Sequence, residues 1–448
     1  MPPSPTAQSL LSGCWQTQLL RDYGMVLVLL LLGVLFSLLT VREQFPVGAD
    51  AGKQVARLIS QRFPAPAQVV IVVRETSGDR SFAEAAAQQL AADGHQLLGT
   101  SRGSALDARQ LLEKLIAESR TIDAIIANDV TARWTIYDRF PEIGSQKCLI
   151  PQPYRWPDFL KLSNLLGVAN QTSIYAIIAI GMTLVIISAG IDLSVGSLVA
   201  LAAVVTALIV RDWGGGTQAG LGMVSFAMAA GIGLCALAGG FNGWLITQFR
   251  MPPFITTLGM MMMANGLAFR LSGGQSIPQL PPVFFVLGSG ITFGIPNPVL
   301  LMLLLYALAH VVMSRTVFGR YVYAIGGNVQ AARLSGLPVN RVLLAVYILS
   351  GSLAGLGGVV LASQLAAGDP KFGQMYELEV IAAVVVGGTS LMGGRGKIFG
   401  TLIGAFIIAV IRNGMNLTNV DPFNQKIVLG AVLTGAVLLD TWKRQTTH

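Results

Sequence analysis

From residue 160 onward, long apolar stretches alternate with short polar or glycine-rich links, and one more apolar stretch stands near the start of the chain. A helix needs about 17–25 apolar residues to cross the hydrocarbon core of a bilayer. Ten segments are candidates by that measure: 24–40, 172–187, 194–210, 221–246, 254–271, 299–313, 342–362, 378–391, 398–411 and 427–439. Several are short or rich in glycine, which predicts tilted, broken or re-entrant pieces, above all around 387–396. The most informative run is 174–201, IYAIIAIGMTLVIISAGIDLSVGSLVAL, in which a single carboxylate, Asp192, sits between glycines and serines. Lipid offers no hydrogen bonds, so a charge or irregular backbone at that depth persists only inside protein or beside water. The run predicts a polytopic membrane protein with a polar path through it. Taken alone, Asp192 is better explained as a cap for the helix that follows, with Ser194 and the glycines forming the turn.

Residues 44–157 follow a different pattern. The β-branched run 69–73 precedes a helical pattern at 82–92 and a turn at Asp93-Gly94. A second apolar run at 96–98 precedes an amphipathic pattern at 105–118, with Leu111, Leu112, Leu115 and Ile116 on one face. A third run at 122–127, a helical segment at 132–140 and a fourth short run at 148–150 complete the alternation. Strands alternating with helices predict βαβ units around a parallel sheet. Prolines at 64, 66, 151, 153 and 157 mark links to the membrane part.

Charge is unevenly spread. Residues 42–161 hold 15 Lys+Arg and 14 Asp+Glu, which leaves 15 and 8 for the rest of the chain, so nearly all of the net +8 lies in the apolar part. There a basic bias marks cytoplasmic loops rather than nucleic-acid binding. With the N-terminus inside, the inner loops carry Arg250, then Arg315, Arg320, Arg333 and Arg341, then Arg395 and Lys397, and the tail carries Lys443 and Arg444. The outer loops are close to neutral. Both termini are therefore expected inside, with residues 44–157 outside. The first span lacks a net-basic leader and a small-residue cleavage site, and is expected to remain as a helix. Cys14, Cys148 and Cys235 are too widely separated to suggest a disulfide framework, and neither they nor the three histidines form a metal signature.

Three stretches carry a family resemblance: IAIGMTLVIISAGIDLSVGSLVAL at 178–201, ITTLGMMMMANGLAF at 255–269, and YELEVIAAVVVGGTSLMGGRGKIFGTLIGAF at 376–406. They resemble the permease subunits of bacterial ABC sugar importers of the ribose, xylose, arabinose and galactose type, across residues 160–441. The resemblance implies ten spans in the bacterial inner membrane, a cassette ATPase that holds ATP and magnesium, a periplasmic sugar-binding protein, and a second permease copy or paralogue. The chain itself would be no enzyme and bind no cofactor. Its GGRGK at 393–397 fails as a phosphate loop, because Leu391 stands where glycine is needed and Ile398 follows the lysine.

Gln330-Ala331-Ala332-x-x-x-Gly336, with Arg333 within it, resembles the coupling loop by which such permeases engage the ATPase, with Gln330 in place of the usual Glu. Small residues would let a partner's cleft approach closely, although an ordinary basic loop ending on a glycine has the same composition. For the sugar path, neutral polar positions at glycine-rich breaks are suitable: Asn170, Gln171, Thr172, Asp192, Ser194, Thr389 and Ser390. Each is also explained by helix capping or packing. Glu377 and Glu379 are expected at an outer helix end, to help dock a partner or terminate the helix, rather than in the sugar path. The insert resembles one lobe of a periplasmic sugar-binding protein. The sequence thus predicts an α-helical polytopic membrane protein of about ten transmembrane helices with an inserted periplasmic α/β domain. It divides into 1–43 (tail and first span), 44–157 (insert) and 158–448 (permease core, with coupling loop 315–341). A membrane-anchored sensor with the insert as detector is the competing class.

Overall fold

A computed structural model of the chain describes residues 24–140, 143 and 147–445. Cys14 and most of the cytoplasmic tail expected at 1–43 fall outside the described residues. Two compact units are present, one formed by Val41–Asp158 and the other by the remainder.

The smaller unit opens with strand β1 (Val41–Gln44) and helix α2 (Ala49–Arg62). It continues through β2 (Gln68–Val73), α3 (Ser77–Ala92), β3 (Gln96–Arg102), α4 (Ala105–Ala117) and β4 (Ala124–Ala127) to β5 (Cys148–Leu149) and β6 (Tyr154–Pro157). Strands β2 to β5 form one parallel sheet in the order β3-β2-β4-β5. The continuous apolar sequence of β2 has its reason here. Val69, Ile71 and Val73 pack under α2 and α3 with Val55, Ile59, Phe82 and Leu90, while Val70 and Val72 pack under α4 with Leu112 and Tyr137. A parallel strand covered on both faces has no polar side to show. The helix starts are fixed locally: the Thr76 side chain accepts from the Asp79 backbone N–H, and Ser104 with Asp107 forms a reciprocal capping box.

Two elements of this unit escape the sequence pattern. Helix α2 is real, with Ala51, Val55, Ala56 and Ile59 buried along one stripe. The helix expected at 132–140 is instead two short 3₁₀ turns, Thr131–Arg133 and Thr135–Arg139, separated at Trp134 by extended backbone with ψ 131. Asn128 Oδ1 accepts from Thr131 N at 2.8 Å, and Thr131 Oγ1 donates to Val72 O at 2.8 Å, so the first turn is tied to the sheet rather than continued as helix. The chain enters and leaves the unit through a two-stranded antiparallel ribbon, β1 with β6.

The larger unit is helical. It comprises α1 (Gly24–Leu39), α5 (Leu162–Ile187), α6 (Val195–Leu208), α7 (Leu221–Gln248), α8 (Pro253–Ser272) and α9 (Pro282–Ser289). These are followed by α10 (Asn297–Arg315), α11 (Val317–Gly327), α12 (Val329–Leu334), α13 (Val339–Leu365), α14 (Tyr376–Val386), α15 (Ile398–Leu417) and α16 (Pro422–Gln445). Among the described residues seven helices are long and apolar enough to cross a membrane: α5, α6 continued to Trp213, α7, α8, α10, α13 and α15. Helix α1 is apolar but shorter. The span expected at 378–391 is the 11-residue α14, which at 1.5 Å per residue reaches only about 17 Å.

Helix α13 is the axis of the bundle, packed by α5, α6 and α7. A side chain at Gly351 would strike the Cys235 carbonyl on α7, and one at Gly239 would strike the Tyr347 carbonyl on α13, so the two helices touch backbone to backbone. Buried Ile178, Met182, Leu198, Val199 and Ala354 fill the adjoining core.

In the smaller unit, burial pushes the Cys148 thiol up to about 12 and also raises Tyr137. A folded pKa above the unfolded value of about 8.5 favours the neutral thiol, so that stabilisation is complete below pH 8.5 and is lost as pH rises towards 12. Excised residues 41–158 are predicted to melt cooperatively, with a melting temperature steady from pH 7 to 8 and falling above about pH 9. Cys148→Ala should remove part of that alkaline fall. A disordered fragment, or a melting temperature that rises with pH, would contradict this account.

Candidate functional site

Asp192 is fully buried in the turn between α5 and α6. Its Oδ1 accepts from Ser194 N at 3.0 Å and from Ser194 Oγ at 2.6 Å, and its Oδ2 accepts from Ser350 Oγ of α13 at 2.8 Å. Asn242 Nδ2 of α7 donates to Ser194 Oγ at 3.3 Å, and Leu193 N donates to Thr257 Oγ1 of α8 at 3.1 Å. One carboxylate thus fastens the turn to α13, and its serine partner links it to α7. Neither Asp192 nor Ser194 lines either of the cavities described next.

The first cavity, of about 360 Å³, lies between α5, α13, α14 and α15, in the half of the bundle that holds the Leu162 end of α5 and the Leu365 end of α13. Gln171 and Thr172 line it, with Tyr175, Gln364, Glu379 and Arg412. Arg412 forms an ion pair with Glu379, donates to Tyr175 Oη at 3.1 Å, and stands 5.5 Å from the Tyr175 ring centroid. The charges in this cavity are therefore matched to each other. Thr172 Oγ1 bonds its own helix at Val168 O, 2.6 Å away. Asn170 stands beside Gln171 in sequence but does not line the cavity.

A second cavity, of about 310 Å³, opens where the chain between α13 and α14 loses regular structure at 366–375. This segment runs alongside α6: Gly368 lies against Ala203 and Ala207, and Gly373 against Gly196 and Val199. About eleven α6 residues separate those contacts, or roughly 16 Å of helix rise. The approach at its deep end is backbone to backbone. A side chain on Gly196 would strike the Gly373 carbonyl and the Glu377 carboxylate, and one on Gly373 would strike the Gly196 carbonyl. The segment ends on Met375 at φ 67, and α14 begins there, inside the bundle. Ser197, Asn265, Gln374 and Glu377 supply the polar lining, and Met261, Met262, Phe372 and Met375 the apolar lining.

Thr389 and Ser390 sit elsewhere, in the turn 387–397 at the opposite end of the bundle from the first cavity. Gly394 N there donates to Ile187 O at 2.8 Å, and Tyr323 Oη of α11 donates to Gly396 O at 2.8 Å. Ser390 N donates to Arg395 O, and Thr389 is buried without lining either cavity.

The same end carries α12. Asn328 caps it, its Oδ1 accepting from Ala331 N at 2.9 Å, and Gly336 leaves it at φ 78 with open space around its α-carbon. Ala332 is buried against the helix's own support, with Val322, Val339 and Val342 in the same cluster. Its small size serves internal packing. Gln330, Ala331, Arg333 and Gly336 are exposed, as are Val329 and Leu334, the latter at 90%. Leu334, Ser197, Asn265 and Gln374 were not singled out by sequence. The available signal was an apolar residue inside a basic loop, polar residues beside the starts of α6 and α14, and a lone asparagine in the apolar interior of α8.

Residues 164–437 match the family model described as branched-chain amino acid transport system / permease component. The ribose import permease protein RbsC of Escherichia coli (strain K12) is 42% identical over 292 residues, covering 64% of this chain and 88% of that protein. RbsC of Bacillus subtilis (strain 168) is 44% identical over 290 residues, covering 64% and 87%. The L-arabinose ABC transporter permease protein AraH of Azospirillum brasilense is 37% identical over 292 residues, covering 64% and 83%. No solved structure matches. The family match takes in every element that builds the two cavities and α12, and leaves out Val41–Asp158. This chain belongs to that family of ABC importer permeases.

Proposed function

We propose that the chain is the membrane-spanning subunit of an ATP-driven importer that moves a monosaccharide, pentose or hexose, into the cytoplasm by alternating access. Its relatives are ribose and arabinose permeases. The observation that carries the reading is the irregular segment 366–375, lodged beside α6 and lining a cavity with Gln374 and Glu377. Irregular backbone at membrane depth is tolerated where it lines water. A polyol path needs that kind of lining: a few hydrogen-bonding groups among apolar walls.

ATP hydrolysis belongs to a separate cassette ATPase, and α12 is its docking element. Leu334 and Val329 project from a helix whose inner side is anchored by Ala332. Arg333 and Arg341 are exposed and have no ion pair among the described residues, so they are available to acids on a partner. A second permease copy and a periplasmic binding protein complete the assembly. Movement at α12 reaches the core through α11 and the turn 387–397, which are joined by the Tyr323–Gly396 hydrogen bond. That turn follows directly on the short helix α14, whose other end borders the second cavity.

Orientation follows from charge. Arg333, Arg395 and Lys397 lie on the end of the bundle that carries α12 and the turn 387–397, which supports a cytoplasmic location for that end under the positive-inside rule. Both termini are then cytoplasmic, the protein is multi-pass in the inner membrane, and residues 44–157 are periplasmic. The insert serves in docking or regulation of the binding protein.

Two measurements test these assignments. Reconstituted with its ATPase and binding protein, the permease should support ATP-dependent uptake of labelled ribose or arabinose. Leu334→Asp should then lower uptake about tenfold, equivalent to about 1.4 kcal/mol of lost docking, with membrane insertion intact. Uptake indifferent to ATP, or to Leu334→Asp, would refute the coupling role. In cysteine-accessibility mapping on intact membranes, Arg102→Cys and Arg333→Cys should label from opposite faces; labelling from the same face would overturn the orientation.

A further inference from the structure

We propose that Glu377 makes the second cavity an anion-rejecting constriction, so that this path passes uncharged sugars and excludes sugar acids and phosphorylated sugars. The inference rests on the reading of that cavity as the aqueous path.

Two carboxylates in the first turn of one short helix meet opposite surroundings. Glu379 faces the first cavity, where Arg412 neutralises it. Glu377 lies two residues earlier in the first turn of α14 and lines the second cavity. Its carboxylate has no ion pair among the described residues, and no other charged side chain lines the space. Lys371 and Asp369, the nearest charged residues earlier in the segment, are not part of the lining. Cavity charge is therefore that of one carboxylate, held between low-dielectric walls formed by Met261 and Phe372 among others. A cleft of one sign with apolar walls concentrates ions of the opposite sign and repels its own.

The neighbouring groups fit a neutral polyol. Ser197, Asn265 and Gln374 offer neutral donors and acceptors around the carboxylate, and the methionines and Phe372 provide surface for carbon–hydrogen faces. A carboxylate accepts hydrogen bonds from sugar hydroxyls, whereas a second carboxylate or a phosphate brought beside it would meet uncompensated like charge. Glu377 thus combines hydroxyl recognition with charge selection.

Thiol-modification rates read this field without a transported substrate. In the full chain with Cys14, Cys148 and Cys235 replaced, a Gln374→Cys reporter is treated with a cationic trimethylammonium methanethiosulfonate and with an anionic sulfonate analogue. Each rate is divided by that of the same reagent with a small free thiol. The cationic reagent is expected to be favoured about tenfold, and Glu377→Gln should bring the corrected ratio close to one. A Ser197→Cys reporter repeats the measurement from α6, should the first variant fail to fold. A ratio that Glu377→Gln leaves unchanged would overturn charge selection while keeping the aqueous path. If neither reagent reacts with either reporter in a folded protein, the path reading fails and this inference fails with it.

Discussion

The close backbone contact between Gly196 of α6 and Gly373 sets the terms for the rest of the membrane unit. It seats ten residues of irregular chain, 366–375, against a spanning helix at a depth where lipid could not satisfy them. The seat fixes where α14 begins. Because α14 starts inside the bundle it is too short to cross a bilayer, and its first turn becomes available as a wall. Its two glutamates then face different spaces, one matched by Arg412 and one unmatched.

Around this element the bundle packs backbone against backbone. Helices α7 and α13 meet through Gly239 and Gly351, with carbonyls where side chains would otherwise interlock. The polar groups in that region are spent on fastening: Asp192 holds Ser194 and Ser350, and Thr257 ties α8 to the α5–α6 turn. In an alternating-access reading, these fastened parts move as one body. Helix α14, held to α15 by close backbone contacts at Gly404 and Gly387 and by the Glu379–Arg412 ion pair, links the coupling end, through the turn 387–397, to the cavity wall. That reading assigns different work to the intramembrane carboxylates: Asp192 is structural, Glu379 is neutralised, and Glu377 faces the path.

Much of the membrane part was legible in the sequence, because long apolar runs leave few alternatives in lipid. The insert's sheet was legible too, since strands such as 69–73 are apolar on both faces. What escaped notice has physical causes. The stripe Ala51, Val55, Ile59 that forms α2 is thin and alanine-rich, giving a weaker pattern than α4's leucines. Trp134 reads as helical but adopts extended backbone, because Thr131 is bound to the sheet. At the candidate site, Asp192 drew attention as an isolated charge, yet sequence cannot reveal that two serines, one of them 158 residues away, would satisfy it. Gln171 and Thr172 do border a cavity. Gln374 and Glu377 became meaningful only when the chain before them proved to be irregular. Their place in the bundle depends on glycines nearly 180 residues apart in sequence.

Hydrogen–deuterium exchange of the protein in lipid nanodiscs tests the central claim most directly: that 366–377 is protein-buried on one side and water-lined on the other. The account predicts that peptides covering Gln374 and Met375 exchange readily, while those covering Val199–Ala207 of the adjacent α6 remain protected. Uniform protection of 366–377, matching that of α6, would place the segment in a dry interior and contradict the account.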